Sequence, residues 1–222
     1  MRTTPATPGP MPPRIERLRL PALTEATADE VRSGDTREGE VFTDVDFSRA
    51  DLEHTSFVSC LLDRTGFDDA ELRGLHLVES RLSQVDAASF AAPRSTWRNV
   101  HLTSSRLGSV ELYEGSWRSV VIEDSKVGYV NARSSTWQDV VLRNCVITEL
   151  DLTYATISRL AIEGCQIGTL DLSSARLVDV DLRGAELQVV NGLDGLAGSW
   201  ISPDQLTQIA PLLAEHLRIK VG

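Results

Sequence analysis

The sequence predicts a solenoid whose chain turns a right-angled corner every five residues, and three observations predict it. From Phe42 to Leu187 every fifth residue is apolar, at all 30 positions, with no insertion or skip. At an overall apolar content of 41%, the chance of such a run is roughly one in a million million. A second series lies two residues earlier, with Val45, Ala50, Thr55 and Cys60 near the start and Ala175, Val180 and Ala185 near the end. It holds Ala, Val, Ser, Thr, Cys or Gly at 24 of its 30 positions. Finally, Trp97, Trp117 and Trp137 recur at intervals of 20 in similar settings, such as Ser95-Thr96-Trp97 and Ser135-Thr136-Trp137, so four five-residue sides complete one coil. Neither a helix of period 3.6 nor a strand of period 2 satisfies a strict period of five. A cornered coil does, with one large and one small side chain turned inward per side.

Asp or Asn often fills the slot between the two series, as in Ala50-Asp51-Leu52 and Val180-Asp181-Leu182. Over residues 40 to 189 these units resemble the pentapeptide-repeat family, whose loose motif is small, Asp or Asn, Leu or Phe, polar, any. The resemblance implies an all-β fold, a right-handed quadrilateral (four-sided) parallel β-helix of pentapeptide repeats, here closed by a C-terminal α-helical cap.

Along the chain, residues 1–13 carry Pro5, Pro8, Pro10, Pro12 and Pro13 and read as disordered. Residues 14–39 read as an N-terminal cap, with Ile15, Leu18 and Leu20 ahead of a polar stretch and a short helix around Thr24 to Arg32. An open coil end needs such a cover. Residues 40–192 are the β-helix. Within it Phe90 stands in a small slot while Ala87 and Ala92 fill the flanking large ones, and Pro93 follows; this predicts a local shape change at conserved volume. The three tryptophans occupy the core phase and should stack along one wall rather than cage a ligand. Residues 193–222 read as a helical cap. Ser202-Pro203-Asp204-Gln205 is a helix start with a capping box, and Ile201 and Leu206 have the spacing of a hydrophobic staple. Leu206, Ile209, Ala210, Leu213 and Leu217 form an apolar stripe that covers the last coil, and Pro211 should kink or split the helix. Related β-helices with a C-terminal helix dimerise through it, which makes Leu206, Ile209, Leu213 and Leu217 the candidate homodimer interface.

Composition narrows function. Acidic residues outnumber basic ones 32 to 22, giving a net charge of −10. That excludes a protein that binds nucleic acid directly by neutralising phosphates, and a polybasic membrane patch. No run reaches the ~18 apolar residues of a membrane span, and Met1 to Pro13 lacks the apolar core of a secretory signal, so a soluble, cytoplasmic protein is expected. Three cysteines make no disulfide framework. Cys145 and Cys165 lie one coil apart in the small slot, a spacing of about 4.8 Å that permits a disulfide, although reduced stacked thiols fit the cytoplasm better. His54, His76, His101 and His216 have no metal-ligand spacing and read as exposed. With no phosphate loop and no nucleophile elbow, no catalytic, metal or cofactor site is expected, and the protein reads as non-enzymatic.

What remains is surface charge. The side centred on Leu52, Leu72, Leu112, Leu152 and Leu172 sums to −4, and the tryptophan side to +1. Some members of the family resemble a DNA duplex in shape and charge and bind type II topoisomerases in place of DNA; others protect those enzymes from drugs. The resemblance therefore implies a protein partner, DNA gyrase, engaged through Asp51, Glu53, Glu71, Glu111, Glu114, Asp151 and Asp171. The alternative is a protein-binding scaffold with another partner. Thirty pentapeptides make 7.5 coils, about 36 Å, over which B-DNA carries about 21 charges, so mimicry would have to use the acidic sides alone. The unbroken register lacks the inserted loops of drug-protecting members and fits the loop-free branch.

Overall fold

A chain that buries a side chain at every fifth position must reverse its side-chain direction at each corner, and a residue in the left-handed region does this. The computed structural model describes residues 9–221. In its first full coil Asp44, Arg49, His54 and Ser59 take φ of 56°, 59°, 57° and 53°, one at each corner. Between corners the coils pair in parallel, with bonds such as Leu52 N–H to Glu71 O at 2.9 Å and His76 N–H to Thr55 O at 2.9 Å. The result is a parallel β-solenoid of about nine turns. Its sides are called first to fourth, after Phe42, Phe47, Leu52 and Phe57.

Register follows the period of 20. Trp97 pairs with Trp117, Trp117 with Trp137, Trp137 with Ile157 and Ile157 with Leu177. The indoles stack at 4.7 and 4.5 Å between centroids, inclined by 13° and 2°, and all three are buried. Of the large slots only Ile122 and Leu187 are not fully buried. In the small slot of the second side Ser105 Oγ accepts from Val85 N–H at 3.0 Å and Ser125 Oγ from Ser105 N–H at 3.1 Å, one coil to the next. Register departs from 20 at both ends: at the start Thr24 pairs with Glu40 and Glu25 with Val41, and at the far end there is a bulge between Ala161 and Cys165 and a last coil of 19 residues, in which Val180 pairs with Ser199 and Asp181 with Trp200.

The change at Phe90 is not local. Its column in the stack runs Ala50, Ala70, Phe90, Val110, Val130, Leu150, Leu170, Val190, large from Phe90 onward. At the same point the corner between the second and third sides loses its left-handed residue, and strands Asp86–Ala91, Arg106–Glu111 and Lys126–Asn131 run straight through it. A larger inward side chain widens that corner, and once widened each following coil inherits the shape through its ladder.

The ends differ from the expectations. Residues 9–13 are not disordered, and 14–20 do not cap the first coil: both run extended along the outside of the solenoid, where main-chain N–H groups find side-chain acceptors on the wall. Residues 1–8 lie outside the described residues. The helix expected over Thr24 to Arg32 is a strand, Thr24–Glu25, followed by a single 3-10 turn, Ala28–Glu30, because the first coil offers an open ladder that Thr24–Glu25 and Thr36–Glu38 satisfy by pairing. At the far end, helix α1 spans Pro203–His216 and its capping box forms, with Gln205 N–H to Ser202 Oγ at 3.1 Å and Ser202 N–H to Gln205 Oε1 at 2.7 Å. Pro211 does not split it; Pro211 and Thr207 both face solvent, where the carbonyl released by the missing N–H can meet water. Leu206 is 50% exposed, so it forms no buried staple with Ile201, and only Ile209 and Gln205 of the helix are buried.

Candidate functional site

On the third side the inward positions are taken by the leucine column and the small slot, so the residues before and after each leucine project outward. The residue before it forms one axial column: Asp51, Glu71, Ala91, Glu111, Asn131, Asp151, Asp171, paired in that order by the ladder. Successive members are about 4.8 Å apart. Asp51 with Glu71, and Asp151 with Asp171, are adjacent carboxylates.

The structure divides the seven candidate acids into two groups. Three are matched by arginine: Glu53 by Arg73 at 3.5 Å, Glu114 by Arg94 at 2.7 Å and Asp151 by Arg133 at 2.6 Å. Asp151 is 2% exposed and also accepts from Thr153 N–H, so it orders the turn rather than offering a free charge. The hydrogen bond to Asp151 in turn raises the Arg133 pKa. The other four have no arginine partner among the described residues. Asp51 and Glu71 are exposed, Glu111 accepts from Asn131 Nδ2 at 2.6 Å, and Asp171 accepts from Ser173 N–H at 2.8 Å. Partial burial pushes the Asp171 carboxyl up, but bonds from Ser173, Thr153 and Asn191 outweigh it and hold it below the ordinary value.

Sequence reasoning missed those arginines, although a signal was present. Glu53 and Arg73, and Arg94 and Glu114, are 20 residues apart, which in a coil of that length means side by side. It also missed a groove of about 410 Å³ where Ala91 and Pro93 interrupt the column, lined by Glu53, Glu71, Arg73, Glu111 and Tyr113. Glu71 and Glu111 flank the small Ala91 two coils apart, about 9.6 Å. Two carboxylates beside a phenol ring suit a cationic side chain from a partner.

The candidate dimer residues are separated by α1. Ile209 turns inward, Leu213 is half-buried, and Leu206 and Leu217 are 50% and 64% exposed. Gln205, not singled out from sequence, closes the last coil: its Nε2 donates to Leu182 O and Ala185 O, both at 2.7 Å.

Among the described residues no three His, Cys, Asp or Glu side chains are grouped to hold a metal, and no helix is long and apolar enough to cross a membrane. His54, His76 and His216 are exposed, but His101 is half-buried, and burial lowers its pKa. Cys145 and Cys165 are free thiols, with Cys145 N–H donating to Cys165 Sγ at 3.3 Å.

A family model described as pentapeptide repeats matches residues 46–84 in 8 copies. Among solved structures the chain is similar to trypsin-treated QnrB1, a plasmid-mediated fluoroquinolone resistance protein, at 21% identity over 89% of this chain and 96% of that one, with a TM-score of 0.36. It is also similar to HetL, a pentapeptide repeat protein involved in heterocyst differentiation regulation from Nostoc sp. strain PCC 7120, at 17% identity over 76% and 90% of the two chains, with a TM-score of 0.35. Comparison with curated protein sequences finds no match. Likeness at these identities and TM-scores carries no function across.

Proposed function

We propose that the chain, whose residues 46–84 match the pentapeptide-repeat model, is a member of that family and a non-enzymatic, protein-binding solenoid whose third side takes the place of DNA on a type II topoisomerase, DNA gyrase, modulating the enzyme or its response to poisons. One observation carries the reading: Asp51, Glu71, Glu111 and Asp171 stand in a single axial column without arginine partners among the described residues. A straight line of carboxylates on a rigid rod is an arrangement that a groove built for phosphates attracts at long range. The net charge of −4 on this side lies well below that of DNA of the same length, so the contact engages one flank of the groove.

The test is gyrase supercoiling with and without the protein. Wild type inhibits at micromolar concentration, and Glu71→Lys with Glu111→Lys raises the half-inhibitory concentration about tenfold or more and flattens its salt dependence. Arg98→Ala with Arg118→Ala, on the tryptophan side, leaves inhibition unchanged. A second reading, a scaffold for a different protein, is favoured by Arg73, Arg94 and Arg133, which interleave positive charge with the acids. It takes precedence if wild-type protein leaves supercoiling unaffected. Of the candidate dimer residues, the exposed Leu206 and Leu217, on one face of the C-terminal segment, are the proposed homodimer contact in either case.

A further inference from the structure

Far from the acidic side, residues 9–20 lie along the corner where the fourth side meets the first. Three main-chain donors hold this strap: Met11 N–H to Asp179 Oδ1 at 3.1 Å, Arg14 N–H to Asp139 Oδ1 at 2.8 Å and Glu16 N–H to Ser119 Oγ at 2.8 Å. Ser119, Asp139 and Asp179 occupy one position of the repeat in different coils. Between Met11 and Arg14 the strap crosses two coils, about 9.6 Å in three residues, which is the rise of an extended or polyproline chain. Pro12 and Pro13 lie between those donors and, lacking N–H groups, leave none unpaired. Ile15, Leu18 and Leu20 are half-buried.

The wall beneath the strap differs from the rest of the surface. At the other corners the left-handed residues, such as His54, Arg64, Gln84, Ser104 and Tyr154, are exposed, whereas Asn99, Ser119 and Asp139 are 6%, 1% and 4% exposed. Val121 and Val141 point outward yet are 6% exposed, while the outward Val146 and Val178 are 44% and 59% exposed. Asp139 is held in place by two bonds from Arg159, Nε at 2.5 Å and Nη2 at 2.7 Å, which orient its oxygens before any peptide arrives. One coil below Ser119, Asn99 Oδ1 and His101 Nε2 are buried with no hydrogen-bond partner among the described residues, so the strap does not satisfy every polar group of the groove it fills.

We infer that this corner is a binding groove for an extended, proline-rich peptide segment of a partner protein, and that residues 9–20 are its intramolecular occupant. The groove has the parts such a ligand needs: acceptors on the wall at the axial spacing of an extended backbone, and an apolar floor at Val121 and Val141. Ladder bonds hold the coils, but only side-chain acceptors and a few apolar contacts hold the strap, so a competing segment can displace it without unwinding the solenoid. Tethering gives the strap a high effective concentration, and a free peptide therefore binds weakly until the strap is released.

The test uses the full chain and a fluorescein-labelled peptide of residues 9–20. Met11→Pro, Arg14→Pro and Glu16→Pro together remove the three N–H donors, and faster trypsin cleavage after Arg17 and Arg19 than in wild type reports strap release. The peptide should bind this variant about a hundredfold or more tighter than wild type by fluorescence anisotropy. Adding Val141→Glu on the groove floor, or replacing the peptide's prolines with alanine, should abolish that gain. Equal binding to both proteins, no binding to a variant shown by trypsin to have released its strap, or binding indifferent to Val141→Glu and to the prolines each overturns the inference. If trypsin shows the strap still docked without its donors, the claim of a displaceable occupant fails.

Discussion

Trp117 is flanked on both faces by stacked indoles and buried, yet its Nε1, like those of Trp97 and Trp137, has no partner among the described residues. Packing therefore supplies its whole contribution. Trp117→Ala should cost about 3–5 kcal/mol in urea unfolding, and Trp117→Phe less than half of that, since it also removes an unpaired polar group. A Phe variant as unstable as the Ala variant would show that the indole N–H is bonded. Charge acts at the same scale. The Asp139 carboxyl is held below its ordinary value by the bond from Arg159, against the opposing effect of burial, and further by the Arg14 N–H; bonds from Arg183 do the same for Asp181. A carboxylate depressed in the folded state stabilises above its unfolded value, about 3.9, and that stabilisation is lost as pH falls through the lower folded value. Urea midpoints should hold from pH 7 to about 5 and then drop, with a shallower drop in Asp139→Asn. The spacing of 20 between Asp139 and Arg159, as between Arg143 and Glu163, makes such pairs legible in the sequence once the coil length is known. Arg133 and Asp151, 18 apart, escape that rule because the arginine reaches diagonally along the third side, from the residue after one inward position to the residue before the next.

Of the secondary-structure elements, helix α1 was legible in its start but not in its contact. Ser202 and Gln205 identify the capping box, whereas the apolar stripe overstates the buried face, because Leu196 and Ile201 ahead of the helix already pack against the core and leave only Ile209 of the stripe buried. The exposed carbonyls of Leu182 and Ala185 instead need a donor, and a buried glutamine is invisible to a hydrophobic pattern. Gln205→Leu should cost about 1–3 kcal/mol by leaving both carbonyls unpaired, measured as a shift in thermal or urea midpoint; an unchanged midpoint would remove Gln205 from the cap. Leu206→Asp with Leu217→Asp tests the other face. Light scattering should show wild type as a dimer and the variant as a monomer of similar stability, and a monomeric wild type would dismiss the interface while leaving the cap intact. The strap shows the opposite limit. Its prolines read as disorder because composition describes a segment by itself, and the acceptors that order it sit more than a hundred residues away in sequence, between Ser119 and Asp179.

For the whole molecule, one number explains how much could be read. A strict period of five fixes the inward faces, and the tryptophan interval fixes four sides per coil; together they place every large inward residue from Phe42 to Leu182, all buried except the half-buried Ile122. The same geometry sorts the surface into columns, so the candidate acidic side was identifiable, but which carboxylates remain unpaired depends on rotamers and on arginines in neighbouring coils. The rod's use as a DNA substitute is most directly tested by competition. Labelled duplex DNA bound to gyrase is titrated with this protein while anisotropy is followed at several salt concentrations. The account predicts that the protein displaces the duplex, less effectively as salt rises, and that Glu71→Lys with Glu111→Lys abolishes displacement. Protein bound to gyrase while the duplex stays in place, or no displacement at micromolar concentration, would contradict it.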